Sequence, residues 1–360
     1  MKIVSIASAR PNFVKLAAID HAIRSFAPHW EHVIIHTGQH YDPLLSDIFF
    51  HQLDISDPAF NLGIKADSRE EVISKTEQAL VPLLEKLQPD FVFVYGDVNG
   101  AVGGARAAKK TGIQLAHIEA GLRSFDHEMP EELNRIEIDK LADFLFCTEQ
   151  SGMDHLKEEN IAGQSFLVGN TMIDTLIRNQ TCIDEVEQGV PVDLSEIASK
   201  KFAIATIHRP SNVDSPNALA RVIDFLQEVA QSCPIILPAH PRLQNALGAT
   251  IRSLKNIQLV DPLAYWSFLR LMKASAFILT DSGGIQEEAT FLQKKCFTLR
   301  KNTERPSTID SGSNTLIDLE KESDRQLILD FAKSPHQPIM TIPEFWDGKA
   351  GERILSNLAV

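Results

Sequence analysis

Ile278-Leu279-Thr280-Asp281-Ser282-Gly283-Gly284-Ile285-Gln286-Glu287-Glu288 opens as a short apolar run, breaks at a Ser-Gly-Gly turn and continues in a helical pattern. A strand that feeds a helix through so tight a turn is half of a crossover unit, the building block of parallel sheets. The same alternation extends in both directions. Downstream lies a strand candidate at 295–299; upstream lie candidates at 202–207, 234–238, 257–260 and 276–280. A polar, acidic stretch at 183–200 precedes these, and before it a first series occupies 2–6, 32–36, 90–95, 114–118, 143–147 and 165–168. The spacing predicts an α/β protein with two doubly wound, Rossmann-like domains, one over residues 1–168 and one over 169–344. Residues 345–360 form a turn and an amphipathic helix whose destination periodicity does not reveal.

With 360 residues and 44% hydrophobic content, the chain can bury two cores. Its net charge of -13 gives no general basic surface, so binding to a nucleic-acid backbone is not expected, although a small phosphorylated ligand can still be held by local cations. The four cysteines, Cys147, Cys182, Cys233 and Cys296, make no metal-ligand spacing and read as scattered cytosolic thiols. No segment approaches the roughly twenty apolar residues of a membrane span. The start at Lys2-Ile3-Val4-Ser5-Ile6 is strand-like without a leader, and a cytoplasmic location is the expectation.

In open parallel sheets, ligands gather at the carboxyl ends of strands. Ser8-Ala9-Arg10-Pro11-Asn12 and Lys15 follow the first strand, where Pro11 suits a helix start and two cations invite phosphate, or simply decorate a surface helix. Gly96-Asp97 ends another strand, and Asp97 alone reads at least equally well as a helix N-cap. The following run Gly100-Ala101-Val102-Gly103-Gly104-Ala105 allows close approach of backbone or ligand, but its spacing is not the dinucleotide fingerprint; no nicotinamide cofactor is expected. Glu119 sits at a strand end, and Glu131 and Glu132 lie near a helix start, where acidic residues also serve the helix dipole. Paired carboxylates suit proton transfer at a sugar carbon. In the second half, His208-Arg209 and His240-Pro241-Arg242 close two strands and suit a pyrophosphate; neither histidine has a metal-binding companion at ligand spacing. The Ser282-Gly283-Gly284 turn offers backbone N–H groups to a phosphate, with Glu288 placed for ribose hydroxyls.

Taken in order, Thr37-Gly38-Gln39-His40, Gly121 to Arg135, Val168-Gly169-Asn170-Thr171, His208-Arg209, Thr280 to Glu288 and Thr303-Glu304-Arg305-Pro306 resemble the motif set of the non-hydrolysing UDP-N-acetylglucosamine 2-epimerases. The resemblance runs through nearly the whole chain. It implies a fold of the glycosyltransferase-B type, with a C-terminal helix returning to the first domain, and a homodimer. It further implies a UDP-N-acetylhexosamine as substrate, without metal or redox cofactor. UDP would lie against the second domain, with Ser282, Gly283 and Gly284 near its phosphates, Glu288 on ribose and Phe268 stacked on uracil. Arg10, His240, Arg305 and, more weakly, Lys15 match positions around the nucleotide.

The chemistry implied is reversible C2 epimerisation by elimination and re-addition: UDP leaves C1, a carboxylate removes the C2 proton, and 2-acetamidoglucal is the intermediate. Asp97, Glu119 and Glu131 match the catalytic carboxylates and His208 the group that assists the leaving UDP; which carboxylate serves which face stays open at the level of sequence. Related readings are a 2-epimerase of a UDP-2,3-diacetamido uronic acid and a nucleotide-sugar transferase of the same fold type. The departures from the family pattern are Ser8, Ala9 and Asn12 in the opening motif, Val98 after Gly96-Asp97, Pro210 after His208-Arg209, and Asp42 where some relatives carry Gln near a second UDP-N-acetylglucosamine. Regulation by a second substrate is therefore not expected.

Overall fold

In the computed structural model, which describes residues 1–38, 49–187, 189–190, 201–239, 241–248 and 254–358, the chain forms two parallel sheets. The first contains β1 (Lys2–Ala7), β2 (Glu31–His36), β3 (Phe60–Asn61), β4 (Phe91–Tyr95), β5 (Gln114–Ala120), β6 (Phe144–Cys147) and β7 (Gln164–Leu167), in the order β3-β2-β1-β4-β5-β6-β7. The second contains β8 (Ala203–Thr206), β9 (Ile235–Pro238), β10 (Ile257–Val260), β11 (Phe277–Thr280), β12 (Cys296–Thr298) and β13 (Asn314–Leu316), in the order β10-β9-β8-β11-β12-β13. Every strand pair in both is parallel. Strands with near-continuous apolar runs, such as Val92-Phe93-Val94-Tyr95 and Phe277-Ile278-Leu279, are buried on both faces, as helices covering a parallel sheet require.

Each order reverses once, between β1 and β4 in the first sheet and between β8 and β11 in the second. These are the switch points at which a doubly wound sheet leaves a crevice for ligand. Strands β3 and β13 are additions to the sequence reading: they are two and three residues long, too short for a pattern to show.

The chain divides into one body of Met1–Asn179 with Glu344–Val360 and another of Gln180–Pro343. The division thus falls after Asn179, not at 168. The reason is local: Asn170 caps the helix Thr171–Arg178 by accepting from the Met172 N–H, and Thr175 donates to the Val14 carbonyl of the helix Arg10–Phe26. That stitches residues 169–179 to the first body. The helix Ala350–Leu358 lies on Arg10–Phe26, where the bare Cα of Gly351 passes close to the Ala18 carbonyl. The Asp174 carboxylate accepts from the Gly351 N–H at 2.8 Å. Among the described residues no helix is long and apolar enough to cross a membrane.

Candidate active site

At the first sheet's switch point, Asn12 holds the β1 turn: its Oδ1 accepts from the Ser8 and Ala9 N–H groups and its Nδ2 donates to the Tyr95 carbonyl at the end of β4. A glutamate could accept from the two N–H groups but could not donate to the Tyr95 carbonyl, so Asn12 is a compatible departure. Arg10 begins the helix that follows, half-buried, with its guanidinium 5.6 Å from the Phe49 ring centroid. One turn further, the Lys15 ammonium meets the Glu119 carboxylate at 2.7 Å, both side chains buried.

Glu119 is delivered by irregular backbone. It has φ +73°, and the register of β5 against β6 shifts between Ile118 and Ala120. A left-handed, non-glycine residue at a bulge costs of order 1–3 kcal/mol and is kept where the surroundings hold it. Here they do. His117 bridges the Gly96 carbonyl at 2.9 Å and Asp139 at 2.7 Å; Asp139 accepts from the Gly121 N–H and from Arg123. Burial pushes the Asp139 carboxyl up, but His117 and Arg123 outweigh it and keep the group below the ordinary range. Gly96, at φ +60°, leaves room for Lys15, whose Nζ would lie 2.9 Å from any β-carbon there.

The helix Pro130–Leu141 braces Asp97. Asn134 donates to the Asp97 carbonyl and to Asn99, while buried Arg135 pairs with the Asp97 carboxylate and with Glu132. Glu131 and Glu132, equivalent in the sequence, separate here. Glu132 is buried and clasps the Ser124–Phe125 turn through three hydrogen bonds, whereas Glu131 is exposed. The glycine run after Asp97 serves packing: β-carbons on Gly103 and Gly104 would meet Thr76 and Ile6 at 2.6 and 2.9 Å, so it admits neighbouring side chains and backbone, not a ligand.

The second body carries a helix N-terminus beside a buried arginine. The helix Gly283–Phe291 starts at Ser282 with no side-chain cap and no acidic residue in its first turn; the Ser282 N–H donates to Thr280 Oγ1 at 3.0 Å, which leaves the Gly283 and Gly284 N–H groups at the start of the helix as donors. Arg305 lies across that turn, held by Glu287 at 2.9 Å and Glu304 at 3.3 Å. At the facing strand end, His208 Nδ1 lies 2.9 Å from Asp281 Oδ1. Asp281 is fully buried; burial would raise its carboxyl, but His208, Asn212 and the Arg209 N–H outweigh that and hold it low. Glu288 is buried and its pKa is pushed up to about 8 by burial and by neighbouring Glu287, against the hydroxyl of Tyr265. Phe268 is half-buried on the helix Tyr265–Ala274. His240 lies outside the described residues, as do Gln39, His40 and Asp42.

Asp97, Glu119, Glu131, Arg10 and Lys15 therefore belong to the first body, and His208, Phe268, the Ser-Gly-Gly turn, Glu288 and Arg305 to the second. Asp281, Arg135 and Glu287 are the partners the sequence did not single out; each is a buried charge whose mate lies far along the chain.

A family model described as UDP-N-acetylglucosamine 2-epimerase matches residues 24–359. The UDP-N-acetylglucosamine 2-epimerase of Methanocaldococcus jannaschii is 36% identical over 369 residues, 99% of each chain. The UDP-2,3-diacetamido-2,3-dideoxy-D-glucuronate 2-epimerase of Pseudomonas aeruginosa is 36% identical over 318 residues, 88% of each. A crystal structure of Methanocaldococcus jannaschii UDP-GlcNAc 2-epimerase in complex with UDP-GlcNAc and UDP matches with a TM-score of 0.90 at 34% identity, covering 100% of this chain and 99% of that one.

Proposed function

Because the chain belongs to the non-hydrolysing UDP-N-acetylglucosamine 2-epimerase family, we propose that it interconverts UDP-N-acetylglucosamine and UDP-N-acetylmannosamine by eliminating and re-adding UDP. The observation that carries this reading is the second sheet's switch point. An uncapped helix N-terminus, the Arg305 guanidinium and the exposed edge of His208 there converge on a place for a diphosphate that must leave and return. We read the fold as of the glycosyltransferase-B type, with the UDP contacts assigned to the second body and the catalytic carboxylates carried by the first.

The C2 hydrogen has no adjacent carbonyl to acidify it, so C1–O cleavage must lead. The C1–O electron pair moves onto the phosphate oxygen, which takes a proton from His208. The C2–H pair becomes the C1–C2 double bond of 2-acetamidoglucal, and a carboxylate accepts the proton. Stabilising the departing diphosphate is the larger task, and preorganised N–H groups and a guanidinium fixed by two carboxylates do this without reorganisation. Re-addition reverses the steps after protonation from the other face. Inversion needs acid/base groups on both faces of C2. Glu119, paired with Lys15, and Asp97, paired with Arg135, are two of these groups, and exposed Glu131 is the third. Phe268 stacks on uracil, Glu288 receives the ribose hydroxyls, and Arg10 and His240 complete the nucleotide contacts. The enzyme works in the cytoplasm as a homodimer.

Proton NMR of UDP-N-acetylglucosamine with enzyme in deuterated water tests the reading. Deuterium at C2 in both UDP-linked isomers is the expected result. Free N-acetylmannosamine, or no exchange, overturns it. The Pseudomonas relative makes the UDP-diacetamido uronate the second substrate to try, and exchange confined to that sugar identifies the alternative.

A further inference from the structure

We propose that Asp281 is a positioning residue that fixes the tautomer and orientation of His208, so that Nε2 is the nitrogen that gives a proton to the departing UDP; this rests on the epimerase reading above. Asp281 ends β11 beside the end of β8 and is fully buried. Its Oδ2 accepts from the Arg209 N–H at 2.9 Å and Asn212 Nδ2 at 3.0 Å; the His208 N–H lies 3.1 Å from both oxygens; Oδ1 faces His208 Nδ1 at 2.9 Å. A carboxylate with this donor set can only accept, so Nδ1 must carry a hydrogen. Nε2 is then the nitrogen left for substrate, on a side chain 52% exposed.

The charged surroundings favour the same assignment. Arg209 donates from Nε to the Asp281 carbonyl and reaches Glu304 at 3.7 Å, and Arg305 lies between Glu287 and Glu304. Asp281 is the carboxylate in direct contact with the ring, so an imidazolium keeps its Nδ1 hydrogen on Asp281 and presents its Nε2 proton to the substrate. When C1–O breaks, the bond pair goes to the phosphate oxygen and the Nε2 proton follows it; on re-addition Nε2 takes that proton back. Asp281 stays ionised throughout, holding the ring.

Asn in place of Asp281 separates orientation from bulk. Its single carbonyl oxygen is claimed by the three donors at the Oδ2 position, which turns the amide NH2 toward Nδ1. Nδ1 must then accept, and neutral His208 carries its proton on Nε2, with the imidazolium disfavoured. We expect nitrogen-15 NMR to show neutral wild-type His208 protonated at Nδ1 and the D281N ring at Nε2. D281N should lose on the order of 10²- to 10⁴-fold in kcat, with UDP affinity within roughly threefold of wild type. The D281N/H208Q pair should be no slower than H208Q within about twofold, because one residue acts through the other.

Neutral wild-type His208 protonated at Nε2 overturns the proposal, as does D281N turnover near the wild-type rate or an added loss in the double variant. If D281N fails to fold, the wild-type spectrum decides. A wild-type chain that exchanges no C2 hydrogen overturns the epimerase reading and the catalytic role with it, and the tautomer spectrum separately decides the Asp281–His208 pairing.

Discussion

Replacing Gly283 by alanine adds one methyl group at the start of the helix Gly283–Phe291. An ideal β-carbon there lies 2.5 Å from Arg305 Nη1, 3.0 Å from Cζ and 3.4 Å from Nη2. Since ordinary contact begins near the last of these, the guanidinium must withdraw by about 1 Å. It is not free to do so at no cost: Glu287 and Glu304 hold it, and all three side chains are buried. The backbone at 283 is ordinary helix, and alanine is intrinsically the better helix former by roughly 1 kcal/mol. Folding stability and ligand affinity should therefore move separately. Loss of one charge-assisted hydrogen bond, about 1.5–3 kcal/mol, corresponds to UDP binding weakened by about 10- to 150-fold. Titration calorimetry with UDP, beside a thermal melt, reads both. A UDP affinity within twofold of wild type, with the melting temperature unchanged, would refute the assignment of Arg305 and this turn to the diphosphate.

Three further outcomes are expected. E119Q should slow C2 deuterium exchange by on the order of 10²- to 10⁴-fold while leaving UDP affinity nearly intact, because Glu119 belongs to the other body; it should also lower the melting temperature, since breaking a buried ion pair costs about 3–5 kcal/mol. An exchange rate within tenfold of wild type counts against Glu119 as an acid/base group. Glu288, with its pKa pushed up to about 8, should ionise on receiving the ribose hydroxyls proposed for it, so UDP binding at pH 7 should release up to about one proton; calorimetry in buffers of different ionisation enthalpy detects it, and E288Q should abolish it. Asp174 has its pKa raised from 3.8 to about 6 by burial, against the helix N–H groups of Gly351 and Ala350. Its contribution to stability is therefore fully present below pH 3.8 and lost as pH rises through 6, a cost of up to about 3 kcal/mol at pH 8. D174N, which still accepts from Gly351, should raise the melting temperature at pH 8 and leave it unchanged at pH 4.

Most of the architecture can be read from the chain because strands such as Val92-Phe93-Val94-Tyr95 are apolar on both faces and each is followed by a turn and a helical pattern. What escapes reading is whatever lacks length or depends on contact between distant residues. Phe60–Asn61 and Asn314–Leu316 are edge strands with too few residues for a period. The division after Asn179 depends on Thr175 reaching the Val14 carbonyl across the helix packing. Within the site, the strand-end carboxylates and the Ser-Gly-Gly turn are visible because backbone chemistry marks them. Lys15 resembles a phosphate-binding cation in one dimension and is found on Glu119 in three. Glu131 and Glu132 are interchangeable in the first turn of a helix until one of them is seen to clasp the Ser124 turn. Asp281 stands in the quoted motif without a stated task, since its role comes from β8 lying beside β11.

The central claim is that the C1–O bond breaks and re-forms in the course of inversion. UDP-N-acetylglucosamine carrying oxygen-18 in the bridge between C1 and the β-phosphorus tests it directly by phosphorus-31 NMR, with rapid quenching to look for the glucal. The account predicts label moving into non-bridging β-phosphate positions as inversion proceeds, with 2-acetamidoglucal and UDP trapped in the quench. Inversion at C2 with the label held wholly in the bridge and no glucal would contradict it.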